Sequence, residues 1–448
     1  MAAFYNRCIA SSSRLAATQP SNIAVAAFST SASSLAAAKG KKPGKAPVTK
    51  KKPGSFSKVR NTAVKGKEAS SGGARGGETQ TNQIDLTESV AAEFEPTVAV
   101  HAGVPTRFKK QNVDQLQAYG LPRRIAQEFQ KGQAATVTRI SSDKLISRLN
   151  SAAEKSSKET RLILNGSKGS GKSTIMLQAM SAAWQKGWIV IYLPRATELI
   201  DSTSPYAYNT TTQTFYQPAL SSTLLSSMLA ANKKALSEIS LGREYETATG
   251  QRFQADEKLD ALMARAAKDE TISVGVLEIV FEVLAKQTTS PVLLAVDEAQ
   301  ALFMRSNYRT PHFDHLESYA LSLPRLLLDY VSGRKSFDKG AILTSISLST
   351  AQHAPPKEIY AAVPELSKAP VVTPYDKLDE HHVEAARGLE VFDVGDRLDL
   401  QEARGILDLC QQRKFVFGVT DEILLGKFAE SGGNVNEFVR GLRSTLTV

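Results

Sequence analysis

Two groups of residues in this chain have the types and spacing to do chemistry on phosphate. The first is Gly166, four residues, Gly171, Lys172 and Ser173, inside RLILNGSKGSGKST at 161–174. This G-x-x-x-x-G-K-[ST] spacing is that of a phosphate-binding P-loop. Its glycines let the backbone curl so that N–H groups converge on phosphate oxygens. The nucleotide-binding residues are therefore expected to be Asn165, Gly166, Ser167, Lys168, Gly169, Ser170, Gly171, Lys172, Ser173 and Thr174. Lys172 is expected to reach the β- and γ-phosphates, and the Ser173 hydroxyl to ligate Mg²⁺. The second group is Asp297-Glu298, at the end of the apolar run PVLLAV. Asp297 is expected to hold the same Mg²⁺, and Glu298 to orient an attacking water. A third run, GAILTSIS at 340–347, carries Thr344 and Ser345 toward its end. Their hydroxyls are candidates for sensing the γ-phosphate, or else are satisfied locally.

The pattern around these residues says which elements must position them. Leu162-Ile163-Leu164 reads as a short strand before the loop, and the residues after Ser173 read as a helix whose N-terminus adds donors and dipole. WIVIYL at 188–193 is a second buried strand, and the runs before Asp297 and Thr344 supply two more. The fold class predicted is α/β, a parallel P-loop sheet flanked by helices. The 200–220 stretch is polar and reads as a long loop, and 355–374, broken by prolines, as extended chain. Helical patterns are expected near 116–130, at 141–153, 220–236, 256–268, 272–286, 400–413, 420–431 and 434–446, the last three forming a small C-terminal lid. The expected organisation is a transit peptide over 1–38, a basic low-complexity arm over 39–83, an extension over 84–140, the nucleotide-binding core over 141–354 and the lid region over 355–448.

Charge is segregated. The net charge is +10, yet residues 1–67 contain no acid and thirteen Lys and Arg, which leaves −3 for the rest. Residues 1–38 are rich in Ala and Ser with arginines, the composition of a mitochondrial transit peptide. Residues 39–67 carry eleven positive charges among Pro and Gly, with Lys-Lys-Pro-Gly twice. Such a segment cannot bury enough apolar surface to fold alone, and its charge suits an RNA backbone. No apolar run has the length that spans a bilayer. With only Cys8 and Cys410 in the chain, loss of the leader leaves one thiol, which excludes an internal disulfide or a cysteine zinc site. His312 and His315 have nothing nearby to complete a metal site and read as surface histidines.

From about residue 119 to its end, the chain resembles the mitochondrial small-subunit ribosomal protein family also called death-associated protein 3, in its fungal form. The resemblance rests on Gly120-Leu121-Pro122, LILNGSKGSGKST, GWIVIYLP with the later Tyr216-Gln217-Pro218, LLAVDEAQALF and KGAILTSISLST. It implies a P-loop, AAA+-like core in the head of the small mitoribosomal subunit near the large-subunit interface, in the mitochondrial matrix. The implied partners are the small-subunit rRNA and other mitoribosomal proteins. It also implies bound GTP or GDP with Mg²⁺. The residues themselves leave ATP or ADP open, because Asn232-Lys233-Lys234 continues with Ala235 where a guanine-reading Asn-Lys-x-Asp motif would have x-Asp. Asn436 stands where AAA+ lids carry an arginine, with Arg440 and Arg443 nearby. The readings carried forward are a structural ribosomal protein with slow or no hydrolysis, an active AAA+-type NTPase remodelling a mitochondrial partner, and a nucleic-acid-dependent motor.

Overall fold

The apolar runs that flank the chemistry-bearing residues become neighbouring strands of one sheet. In the computed structural model these are β1 (Arg161–Asn165), β2 (Ile189–Leu193), β3 (Val292–Val296), β4 (Gly340–Ser345) and β5 (Glu390–Asp393). The structure describes residues 92–95, 102–121, 125, 126, 129, 134–348, 353–366, 372, 373, 375–416 and 420–444. The sheet order is β5-β1-β4-β3-β2, and every pairing is parallel. Every residue of β2, β3 and β4 is buried. Strands covered on both faces read as continuous apolar runs, which is why the sequence shows no alternation there. β5 is an edge strand with exposed ends, and it lies within 389–400, a stretch whose mixed composition reads as strand-like or irregular.

Parallel neighbours need crossovers, and helices supply them. Helix α1 (Ile140–Ala152) precedes β1, and α2 (Lys172–Gln185) links β1 to β2. From Ile175 to Trp184 every residue of α2 is buried, so this helix is sandwiched rather than amphipathic. Three further helices, α3 (Leu400–Gln412), α4 (Asp421–Ser431) and α5 (Val435–Ser444), follow β5. They have an apolar cluster of their own, with Leu398, Ile406, Leu407, Leu424, Phe438 and Leu442 packed around Val137 from the strand Ala135–Val137.

Some expectations are corrected. The 200–220 stretch is not a plain loop: Ala207–Asn209 pairs antiparallel with Thr214–Tyr216, and Pro218–Ala231 begins a helix with proline at its start, where a missing N–H costs nothing. A second hairpin, Arg305–Arg309 with His315–Glu317, and the helix Ser322–Val331 had no counterpart in the reading. Within 355–374 the helix Lys357–Ala362 forms directly after Pro356. The helix Lys110–Tyr119, which stops at Gly120, φ 83°, had no counterpart in the reading, and of the short helix expected after Pro122 the described residues 125, 126 and 129 are helical. The leader expected over 1–38 and the basic arm expected over 39–83 lie outside the described residues. Among the described residues no helix is long and apolar enough to cross a membrane.

Candidate functional site: a phosphate loop and its acidic strand

The register of the sheet assembles the site. Val296 at the end of β3 pairs with Leu193 and Thr344, and Ser345 on β4 pairs with Leu164 on β1. The residues that leave these strands at their carboxyl ends therefore meet at one edge, where open α/β sheets place ligands. They are the loop 166–171 after β1, Asp297-Glu298 after β3 and Ser345 on β4. β4 lies between the loop strand and the acid strand.

The loop is shaped by its glycines. Gly171 sits in the left-handed region at φ 93° and caps the N-terminus of α2, which aims the first turn of that helix at the loop. Gly169, φ 81°, is crowded from outside: a Cβ there would lie 2.7 Å from Asn434 Oδ1 and 2.8 Å from Asn436 Cβ. The Lys172 ammonium, nearly buried, donates to the carbonyls of Gly166 at 2.7 Å and Ser167 at 3.0 Å. Ser170 Oγ is buried without a hydrogen-bond partner, a polar atom left for something the loop encloses.

Ser173 and Asp297 meet at this edge. The Ser173 hydroxyl donates to Asp297 Oδ2 at 2.6 Å, and the Glu298 N–H donates to Oδ1 at 2.9 Å. Burial pushes the Asp297 carboxyl above its ordinary range; the Ser173 hydroxyl, the Glu298 amide and the Ser345 hydroxyl pull it back, and the Glu298 charge pushes it up. A buried carboxylate beside a hydroxyl, both hard oxygen donors, fits a Mg²⁺ ion, whose charge would reverse the burial effect. Glu298 itself has φ 55°, rare for a non-glycine residue, and its carboxylate accepts the Thr197 hydroxyl from the segment after β2. Thr344 Oγ1 donates across the sheet to Leu162 O at 3.0 Å, whereas Ser345 lies beside the Asp297 carboxylate.

A family described as mitochondrial ribosomal death-associated protein 3 matches residues 136–441. The chain belongs to that family. Proteins named small ribosomal subunit protein mS29 are similar to it: 27% identical in Neurospora crassa over 66% of this chain and 65% of that one, and 23% in Schizosaccharomyces pombe over 68% and 63%. The mouse protein of that name is 24% identical over 55% of this chain and 64% of its own. The chain thus spans just under two thirds of the length of these relatives. The ADP form of Aeropyrum pernix ORC2 is 15% identical and covers 67% of this chain and 59% of that one with a TM-score of 0.27, a likeness too low to carry an argument.

Four groups around the loop and Glu298 escaped the sequence reading. Asp396, after β5, accepts the Ser167 N–H at 2.5 Å. Arg139, almost fully buried, donates to the Ser170 carbonyl at 2.7 Å and pairs with Glu402 at 2.9 Å. Asn434 donates to the Lys168 carbonyl at 2.9 Å. Thr197 holds Glu298. Each lies far from the loop in sequence with no motif of its own, so only the fold brings them there. Asn436 does reach the loop, through its backbone N–H to Gly169 O at 3.1 Å. Arg440 pairs with Glu437, and Arg443 lies over the Phe415 ring. Asn232 is built into the packing of β2, accepting from Val190 N–H and Trp184 Nε1.

His312 and His315 are exposed, as expected. Among the described residues, Glu317, Asp379 and His382 bring ligand atoms together, but their groups are engaged. Glu317 pairs with Arg305, Asp379 takes the Tyr319 hydroxyl and the His381 N–H, and His382 meets Ser318. These contacts account for the cluster as a packing network.

Proposed function

We propose that this chain is a structural protein of the small mitochondrial ribosomal subunit, in the matrix, with small-subunit rRNA and other mitoribosomal proteins as neighbours. In this reading it sits in the head near the large-subunit interface. Its P-loop, AAA+-like core holds a purine nucleotide, GTP or GDP, with Mg²⁺, beneath a C-terminal lid of α3, α4 and α5. Family membership supports the ribosomal assignment. The Ser173–Asp297 contact beside the curled loop carries the nucleotide. Lys172 would exchange the carbonyls of Gly166 and Ser167 for phosphate oxygens, Ser173 and Asp297 would hold Mg²⁺, and the bound ion would neutralise phosphate charge.

Turnover is slow in this reading, for two reasons. Glu298, the candidate for orienting water, is tied to Thr197. The lid position where an arginine is expected holds Asn436, and an arginine brought to the transferring phosphoryl group is worth ~10³–10⁵ in rate.

Sedimentation of mitochondrial lysate tests the first half; the protein is expected to comigrate with the small subunit. Single-turnover hydrolysis of GTP and ATP by that subunit, beside Glu298→Gln, tests the second. A near-background rate in both is expected. Turnover at ~1 s⁻¹ or faster, abolished by Glu298→Gln, would favour an active remodelling NTPase instead.

A further inference from the structure

Three consecutive carbonyls of the phosphate loop point outward, and each is held by a group from outside the loop. Lys168 O accepts from Asn434 Nδ2 at 2.9 Å. Gly169 O accepts from the Asn436 backbone N–H at 3.1 Å. Ser170 O accepts from Arg139 Nη1 at 2.7 Å. A trans peptide is planar, with its C=O and N–H pointing opposite ways. Pinning the Lys168 carbonyl outward therefore turns the Gly169 N–H inward, and pinning the Ser170 carbonyl turns the Gly171 N–H inward. The Ser170 N–H, between them, closes the loop on Ser167 O at 3.2 Å.

The holding groups are themselves fixed. Arg139 uses the rest of its guanidinium on Glu402 at 2.9 Å and on the Arg397 carbonyl at 3.1 Å. The other Glu402 oxygen accepts the Ile140 N–H at 3.0 Å. Both partners of this ion pair are almost completely buried, so neither can swing away without leaving a charge unpaired in the interior. Asn434 caps α5: its Oδ1 accepts the N–H of Asn436 at 3.1 Å and of Glu437 at 3.3 Å, while its Nδ2 reaches the loop. One side chain thus starts the last helix and fixes the loop together.

We propose that Arg139, Asn434 and the first turn of α5 are positioning groups for the phosphate site: they set the loop's amides toward the phosphates and so couple nucleotide binding to the docking of the last helix. This rests on the nucleotide-binding reading above. A loop whose amides are already oriented loses less freedom when a polyphosphate arrives. The coupling is reciprocal by linkage: whatever loosens α5 weakens the nucleotide, and the nucleotide tightens α5.

Two variants of the full chain separate this from simple packing. Asn434→Ser keeps a hydroxyl that can cap the helix but is too short to donate to Lys168 O. Arg139→Lys keeps a charge for Glu402 but lacks the planar fork that serves three acceptors at once. The probes are Mg·GTPγS and Mg·ATPγS, titrated against ligand-free protein whose melting temperature shows that it folds. Hydrogen exchange of residues 435–444 is followed with and without probe. In the wild type the bound probe is expected to slow exchange in 435–444. Each variant is expected to bind about tenfold more weakly, the loss that goes with one orienting hydrogen bond, and to lose that slowing. Should Arg139→Lys not fold, Asn434→Ser decides alone. Wild-type binding with unchanged affinity in the folded variants, or with no effect on 435–444, overturns the coupling and leaves nucleotide binding standing. No binding of either probe by the wild type overturns both.

Discussion

Asp297 shows how one residue's environment bears on the proposed Mg²⁺ site. It is 4% exposed, and burial holds its carboxyl above the ordinary 3.8. Over the interval between 3.8 and that raised value the folded chain binds more protons than the unfolded one. The contribution of this group to the stability of the ligand-free protein is therefore full below 3.8 and is lost as pH rises through the raised folded pKa. A Mg²⁺ ion between Ser173 and Asp297 needs the carboxylate, so Mg·nucleotide affinity should weaken as pH falls into the same range. Asp297→Asn is expected to raise the melting temperature of the ligand-free chain at pH 7 by a few degrees, since it removes a buried charge whose burial outweighs its hydrogen bonds and which lies beside the Glu298 charge. It should also cut Mg²⁺ affinity at least ~10-fold, the order of loss seen when metal sites are disturbed. Melting curves at pH 5 and 7, with and without Mg·GTP, measure both. A lower ligand-free melting temperature in Asp297→Asn would mean that the carboxylate stabilises the fold by itself. Lys172→Ala should lower the ligand-free melt modestly, since the ammonium's bonds to the Gly166 and Ser167 carbonyls are lost, and should remove the shift that Mg·GTP gives the wild type, ~2.7 kcal/mol at a hundredfold excess over Kd.

At the scale of elements, what was legible was what is local. β1, β2, β3 and β4 announce themselves as apolar runs, and the loop and Asp297 follow them at fixed offsets. The hairpins at 207–216 and 305–317 went unread because their strands are short and half-exposed, and Tyr, Asn and Thr serve loops and strands alike. Arg139 and Asn434 went unread because their meaning is tertiary: the first lies 31 residues from its loop partner and the second 266. Helix α3 shows a similar long-range dependence. A Cβ added to Gly405 would lie 1.8 Å from the Gly103 carbonyl oxygen, so this helix packs backbone to backbone against the segment before the strand Pro105–Arg107. The obstacle is main chain and cannot rotate away. Gly405→Ala is expected to cost ~1–3 kcal/mol, the usual penalty of overpacking, although alanine is the better helix former by up to ~1 kcal/mol. Because Glu402 on the same helix holds Arg139, a displaced α3 should also weaken Mg·GTP binding. Chemical denaturation with a parallel binding titration checks this. Equal or greater stability in Gly405→Ala would show that the helix can shift without strain.

Across the whole molecule, charge and fold are divided between different stretches of chain. The residues that build the sheet and the site carry a slight net negative charge, whereas residues 39–67 carry eleven positive charges and no acid. If the protein is a ribosomal one, as proposed, this division separates two kinds of attachment. A folded body docks through shape and short-range contacts, which salt screens weakly once they are dry. A basic segment binds RNA by displacing counterions, and each neutralised phosphate adds to the slope of log K against log salt, ~0.7 per contact for single strands and ~0.9 for a duplex. Deleting residues 39–67 removes none of the side chains of the sheet or of the C-terminal cluster. The melting temperature of the truncated chain is therefore expected to match that of the full chain. Retention on the ribosome should differ: in a salt wash of small subunits, truncated protein is expected to leave at lower salt than full-length protein, with a shallower dependence on salt concentration. The gap should be widest below ~0.15 M, where the Debye length exceeds ~8 Å and exposed charges still act at a distance. Equal retention across the whole series would assign residues 39–67 the role of a linker and leave attachment to the folded body alone.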